Sequence, residues 1–117
     1  MNIVLLHGLL TREPEVRSLP SGDEVTTFDL TVRDDGHETE VVPISWHSAP
    51  ANVIDKLEPG SEVVVTGRVR RRFFRAGGST QSRTEVVATT VVPARQSRGV
   101  DKALEAALAT GDEWLGG

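Results

Sequence analysis

Residues 61–74, SEVVVTGRVRRRFF, carry a two-residue repeat, and this stretch constrains the fold more than any other. Successive side chains of an extended chain point to opposite faces. Val63, Val65, Gly67 and Val69 therefore share one face, and Arg68, Arg70, Arg72 and Phe74 share the other. That is a strand with an apolar row for a core and a guanidinium row for water. The other segments are of the same kind: short, rich in β-branched residues and punctuated by turns. Residues 3–10 read as a first strand. Residues 26–33 alternate, with Phe28, Leu30 and Val32 on one side and Thr27, Asp29 and Thr31 on the other. Asp34–Asp35–Gly36 is a hairpin signal, and residues 40–46 form the returning strand, with Val42, Ile44 and Trp46 in phase. Pro43 points to an edge or a bulge there.

Residues 48–57 change period. Ser48 suits a helix cap, Pro50 its first turn, and Val53, Ile54 and Leu57 an apolar stripe, with Pro59–Gly60 as the stop. After the long strand, residues 75–82 read as a Gly-containing loop and 83–92 as the last strand, closed by Pro93. Five strands with one short helix between the third and fourth give the element order of an all-β OB-fold, a five-stranded Greek-key barrel. The expected division is a domain at 1–93, then a linker and tail at 94–117. In the tail, Val100, Leu104 and Leu108 recur at helical spacing. A helix of about ten residues is marginal alone, so this one is expected to dock on the barrel, a sister subunit or a partner. Residues 100–115 are a candidate surface for a protein partner.

Composition narrows the function. The 117 residues contain no cysteine, which excludes disulfides, thiolate nucleophiles and cysteine-ligated metals. No apolar run approaches the length of a membrane span, and the first strand lacks the basic flank of a secretory signal. A cytoplasmic location is the expectation. Net charge is −4, but its distribution is uneven. Residues 1–66 carry four basic side chains against twelve acidic ones, whereas residues 67–99 carry eight arginines against Glu85 alone. Charges beyond about 8–10 Å are screened in physiological salt, so a partner meets the local field rather than the total. The arginine-rich segment is a candidate surface for a polyanion.

A single-stranded polynucleotide needs cations for its phosphates and flat rings for its bases. Arg68, Arg70, Arg72 and Phe74 offer both along one row, and Trp46 on the strand before the helix could supply a second ring. Two structural readings compete with this: an arginine row can be a solvated face, and a lone aromatic on a strand is more often core than platform. Phe28 is assigned to the core, and Phe73, with the parity of Val69, to the interior or its rim. His7, His37 and His47 lack metal-ligand spacing, and neither a nucleophile elbow nor a phosphate-cradling loop occurs. No catalytic residue, metal or cofactor is expected.

The order of these pieces resembles the bacterial single-stranded DNA-binding protein family. The opening MNIVLLHGLLTREPEVRSLPSGDEVTTFDLTV is similar to the family's start. NVIDKLEPGSEVVVTGRVRRRFF is similar to its helix and arginine-bearing strand, and RTEVVATTVV to its closing strand. The resemblance covers residues 1–93. It implies a non-enzymatic OB-fold that binds single-stranded DNA without strong sequence preference in replication, repair or recombination, as a homo-oligomer, specifically a tetramer. It places Trp46 and Phe74 at family aromatics, Arg68, Arg70 and Arg72 on the binding face, and Arg33 at the base of a DNA-contacting hairpin; Arg75 is expected to join Arg68, Arg70 and Arg72 in engaging phosphates. There are departures. The loop RDDGHETE is short and acidic, Val41 stands where the family has a tryptophan, and GDEWLGG replaces an acidic tip ending in Pro-Phe. These motivate the alternative of an OB-fold assembly subunit with weak or lost DNA binding.

Overall fold

The computed structural model describes residues 1–33 and 38–94. The hairpin turn expected at 34–36, most of the linker and the tail helix lie outside the described residues. The elements are β1 (Val4–Leu10), β2 (Glu15–Ser18), β3 (Glu24–Val32), β4 (Glu40–His47), α1 (Ala51–Ile54), β5 (Glu62–Ala76) and β6 (Ser79–Pro93). They form one sheet in the order β1-β5-β6-β4-β3-β2, with two further residue pairs joining β1 to β3 at Leu9↔Thr31 and Leu10↔Leu30. All pairings are antiparallel except β4 with β6.

This corrects the expected five-stranded barrel: the architecture is an OB-fold-like sheet of six strands with one short helix. The additional strand is β2, which the sequence reading left as a connection. All four of its residues are exposed, so no apolar alternation marks it, yet it pairs with β3 along its whole length. The Pro20–Ser21–Gly22 turn is present as expected. The Gly22 amide donates to the Leu19 carbonyl at 2.9 Å, and Gly22 takes a positive φ of 92°.

The helix is shorter than its apolar stripe suggests. Pro50 rather than Ser48 occupies the cap position, and Ser48 sits in the left-handed region with φ 53°. Its amide donates to the Glu24 carbonyl at 3.0 Å, which ties the end of β4 to β3 and delays the helix by two residues. Pro43 lies inside a strand flanked on both sides. This is tolerated because β6 joins β4 only from Ile44 onward, so no β6 carbonyl waits for the N–H that proline lacks.

The core is made by the alternating rows: Leu10, Phe28, Leu30, Ile44, Trp46, Leu57, Val63, Val65, Val86, Ala88 and Val91 are all buried. On β6 the buried positions change from even to odd. A bulge explains the change, since Gly67 pairs with Ala88 while Thr66 pairs with Thr90, leaving Thr89 as the extra residue. Gly67 is required there: a side chain would run into the Val87 carbonyl. Because the added residue is on β6, β5 keeps one parity through the bulge, and the division into valine and arginine rows survives.

Candidate nucleic-acid interface

β5 and β6 outrun the rest of the sheet. β1 accompanies β5 only as far as Gly67, and β4 meets β6 only opposite Val86 and Val87. Beyond these points the two strands pair only with each other among the described residues, as a two-stranded arm closed by Gly77–Gly78. Both glycines have positive φ, 59° and 81°, as a two-residue hairpin turn demands. The loop expected at 75–82 is therefore mostly strand. Its Ser, Thr and Gln residues hid the pattern, because neither face is buried there and polarity does not alternate.

Register sorts the arm's side chains. One face carries Arg68, Arg70, Arg72 and Phe74, opposite Val87, Glu85, Arg83 and Gln81. It borders a trough whose other wall is the outer face of β2, β3 and β4. Two adjoining hollows make up the trough, and Arg17, Thr27 and Arg72 border both. One extends to Arg12, Asp29 and Arg83, the other to Ser45, His47 and Arg70. The first hollow is balanced, with Glu13, Glu15, Asp29 and Glu85 against four arginines, and Arg70 and Arg71 of the second tip the trough to positive. Asp29 lies 3.7 Å from Arg83. Glu85, whose side chain is only 7% exposed, accepts from both Nε and Nη2 of Arg70 on one carboxylate oxygen, the Nε contact being 3.1 Å. Arg70 is thus a neutralised, half-buried cation rather than a free one.

The expected site residues divide accordingly. Arg68, Arg72 and Phe74 lie together on the trough face, exposed, with Phe74 at 39%. Arg33 is exposed at the end of β3. Arg75 is exposed but belongs to the opposite face of the arm. Trp46 is a correction. It is 6% exposed and packs in the core with Phe28 and Ile44, so it offers no open ring. Its phase with Ile44 dictates this, since a residue two positions from a core residue points the same way. The aromatic side chain of β4 that borders the trough is the next one, His47. Phe73, expected inward or at the rim, is 66% exposed, because the arm extends past everything that could cover it among the described residues. Arg17, Arg83 and His47 were missed: Arg17 lies on the unread strand, and the other two are brought to the trough only by the pairing of distant strands.

Comparison with known proteins places this geometry. The model of the single-strand binding protein family matches residues 1–94. The single-stranded DNA-binding protein of Oceanobacillus iheyensis is 33% identical over 99 residues, which take in 78% of this chain and 62% of that protein. The Clostridium tetani protein of the same name is also 33% identical, with 68% of its length covered. The chain thus spans about two thirds of the length of these relatives. A solved structure of the Plasmodium falciparum SSB in complex with ssDNA superimposes with a TM-score of 0.68 at 25% identity, covering 80% of this chain and 94% of that one.

Proposed function

This chain belongs to the single-strand binding protein family, and from that premise we propose that it binds single-stranded DNA without strong preference for base sequence, as a binding protein rather than a catalyst, in replication, repair or recombination. One observation carries the reading. Exposed Arg68 and Arg72 and the half-open ring of Phe74 stand in one row on the arm, and Arg17 faces them across the trough. Phosphates are held by the guanidinium groups, and bases stack on Phe74 and on the imidazole of His47. Arg33 extends the positive track toward the end of β3. Neutralising about four phosphates gives a single-strand salt slope of about −2.8 and an affinity loss of about fifty-fold between about 50 and 200 mM salt. Titrating labelled oligo-dT across that range tests the proposal. Affinity that is absent at low salt, or independent of salt, overturns it.

Self-association belongs to the same proposal. Among the described residues, the edge of β1 away from β5 is paired only at Leu9 and Leu10, and β1 leaves Leu5 and Leu9 exposed. An open strand edge with apolar side chains is a template for another chain. A second copy docks there, and pairs of such dimers form the tetramer around which a strand is held. The expected setting is the cytoplasm, on DNA. Among the described residues no helix is long and apolar enough to cross a membrane.

A further inference from the structure

The arm has a second face. Val69, Arg71, Phe73 and Arg75 share it, opposite Val86, Thr84, Ser82 and Thr80. Phe73 is 66% exposed, the most open of the large apolar side chains among the described residues, and Val69 is 42% exposed. Arg71 and Arg75 are exposed as well. This face differs from the trough face in its charge. On the trough face Glu85 neutralises Arg70 and Asp29 approaches Arg83. On the far face no residue in register with the two arginines is acidic: Arg71 is opposite Thr84 and Arg75 opposite Thr80. Arg71 also borders the trough beside Arg70 and Arg72, so the two surfaces meet at that residue.

We propose that the far face of the arm is a second track for single-stranded DNA, on which Phe73 stacks a base and Arg71 and Arg75 hold the flanking phosphates. The two tracks are continuous, so one strand leaves the trough at Arg71 and passes round the arm. An exposed aromatic ring between two arginines, about 6.6–6.8 Å from each row neighbour, is the arrangement that binds bases and phosphates regardless of sequence. A protein partner is the competing occupant of an exposed apolar side chain. The two guanidinium groups without an acid on their own face favour the polyanion.

This inference rests on the proposed binding of single-stranded DNA, and the test separates the two. Phe73→Ala, Phe74→Ala and Arg75→Ala are titrated with oligo-dT of about 8 and about 35 nucleotides, the first within one OB-fold's site size of about 4–16 and the second well beyond it. Phe74→Ala weakens both oligonucleotides. Phe73→Ala weakens the long one by about ten-fold and leaves the short one unchanged. Arg75→Ala, which lies on the far face alone, flattens the salt slope by about 0.7 for the long one only. If Phe74→Ala weakens binding while Phe73→Ala leaves the long oligonucleotide unaffected, the second track is overturned and the first stands. A fall in native mass on Phe73→Ala, with DNA affinity retained, overturns it in favour of a protein contact. Wild-type protein that binds neither oligonucleotide fails the underlying reading instead.

Discussion

Trp46 and Glu85 show how one side chain decides what its neighbours can do. Trp46 shares its phase with Ile44 and is enclosed with Phe28, so its removal is a loss of fold rather than of ligand. Trp46→Ala is expected to lower unfolding free energy by about 3–5 kcal/mol, read by denaturant titration, with DNA affinity kept under conditions where the variant remains folded. The alternation already placed this ring inward. What drew attention to it as a platform was its chemistry, which is the weaker guide when a strand's phase is readable. Glu85 is the reverse case, a lone acid in a basic segment whose partner only the fold reveals. Arg70↔Glu85 pairing across β5 and β6 follows from the hairpin register, and the length of that hairpin was hidden in a polar run. Glu85→Gln releases Arg70 to the trough and removes a negative charge from it. The expected result is tighter oligo-dT binding and a salt slope steeper by about 0.7. Equal or weaker binding by the folded variant would show that Arg70 is better placed when held.

Among the elements, β5 was legible along nearly its whole length, whereas β6 was legible only over 83–92 and without its bulge. The row of valines and arginines on β5 could be sorted by parity alone, because β5 carries no inserted residue. On β6 the bulge at Thr89 breaks the parity, and a bulge is a property of two strands rather than of one sequence. Gly67 is its only trace in the chain, and a glycine in a strand has several explanations. Gly67→Ala pushes a methyl group against the Val87 carbonyl and is expected to destabilise by about 1–3 kcal/mol, measurable as a lower melting temperature. The root of the arm is held in addition by Asn2, whose side chain accepts from the Val69 amide at 2.9 Å and donates to its carbonyl at 2.7 Å. A side-chain amide here replaces the ladder partner that β1 no longer supplies. Such a substitution leaves no periodic signal. β2 escaped notice for a related reason, being an edge strand with nothing buried.

For the whole molecule, the separation of charge along the chain becomes a separation in space. Most of the acidic residues lie in the first 66 positions, and the arm gathers most of the described arginines. A polyanion is therefore drawn to the arm and repelled from much of the rest, despite a net charge of −4. The proposed assembly uses a different surface. Leu5→Arg, at an exposed position of β1, is expected to lower the native mass in solution, and an unchanged mass would place the subunit contact elsewhere. The arm's position has a further consequence for how such a chain can vary. Standing clear of the core, it can lengthen or shorten without refolding the body, but the pleat counts in twos. Adding one residue to each of its strands leaves the hairpin paired and exchanges which side chains face the trough at its tip. Adding two restores them. Relatives that keep both surfaces should therefore differ in arm length by even steps per strand, which aligned hairpin lengths can check.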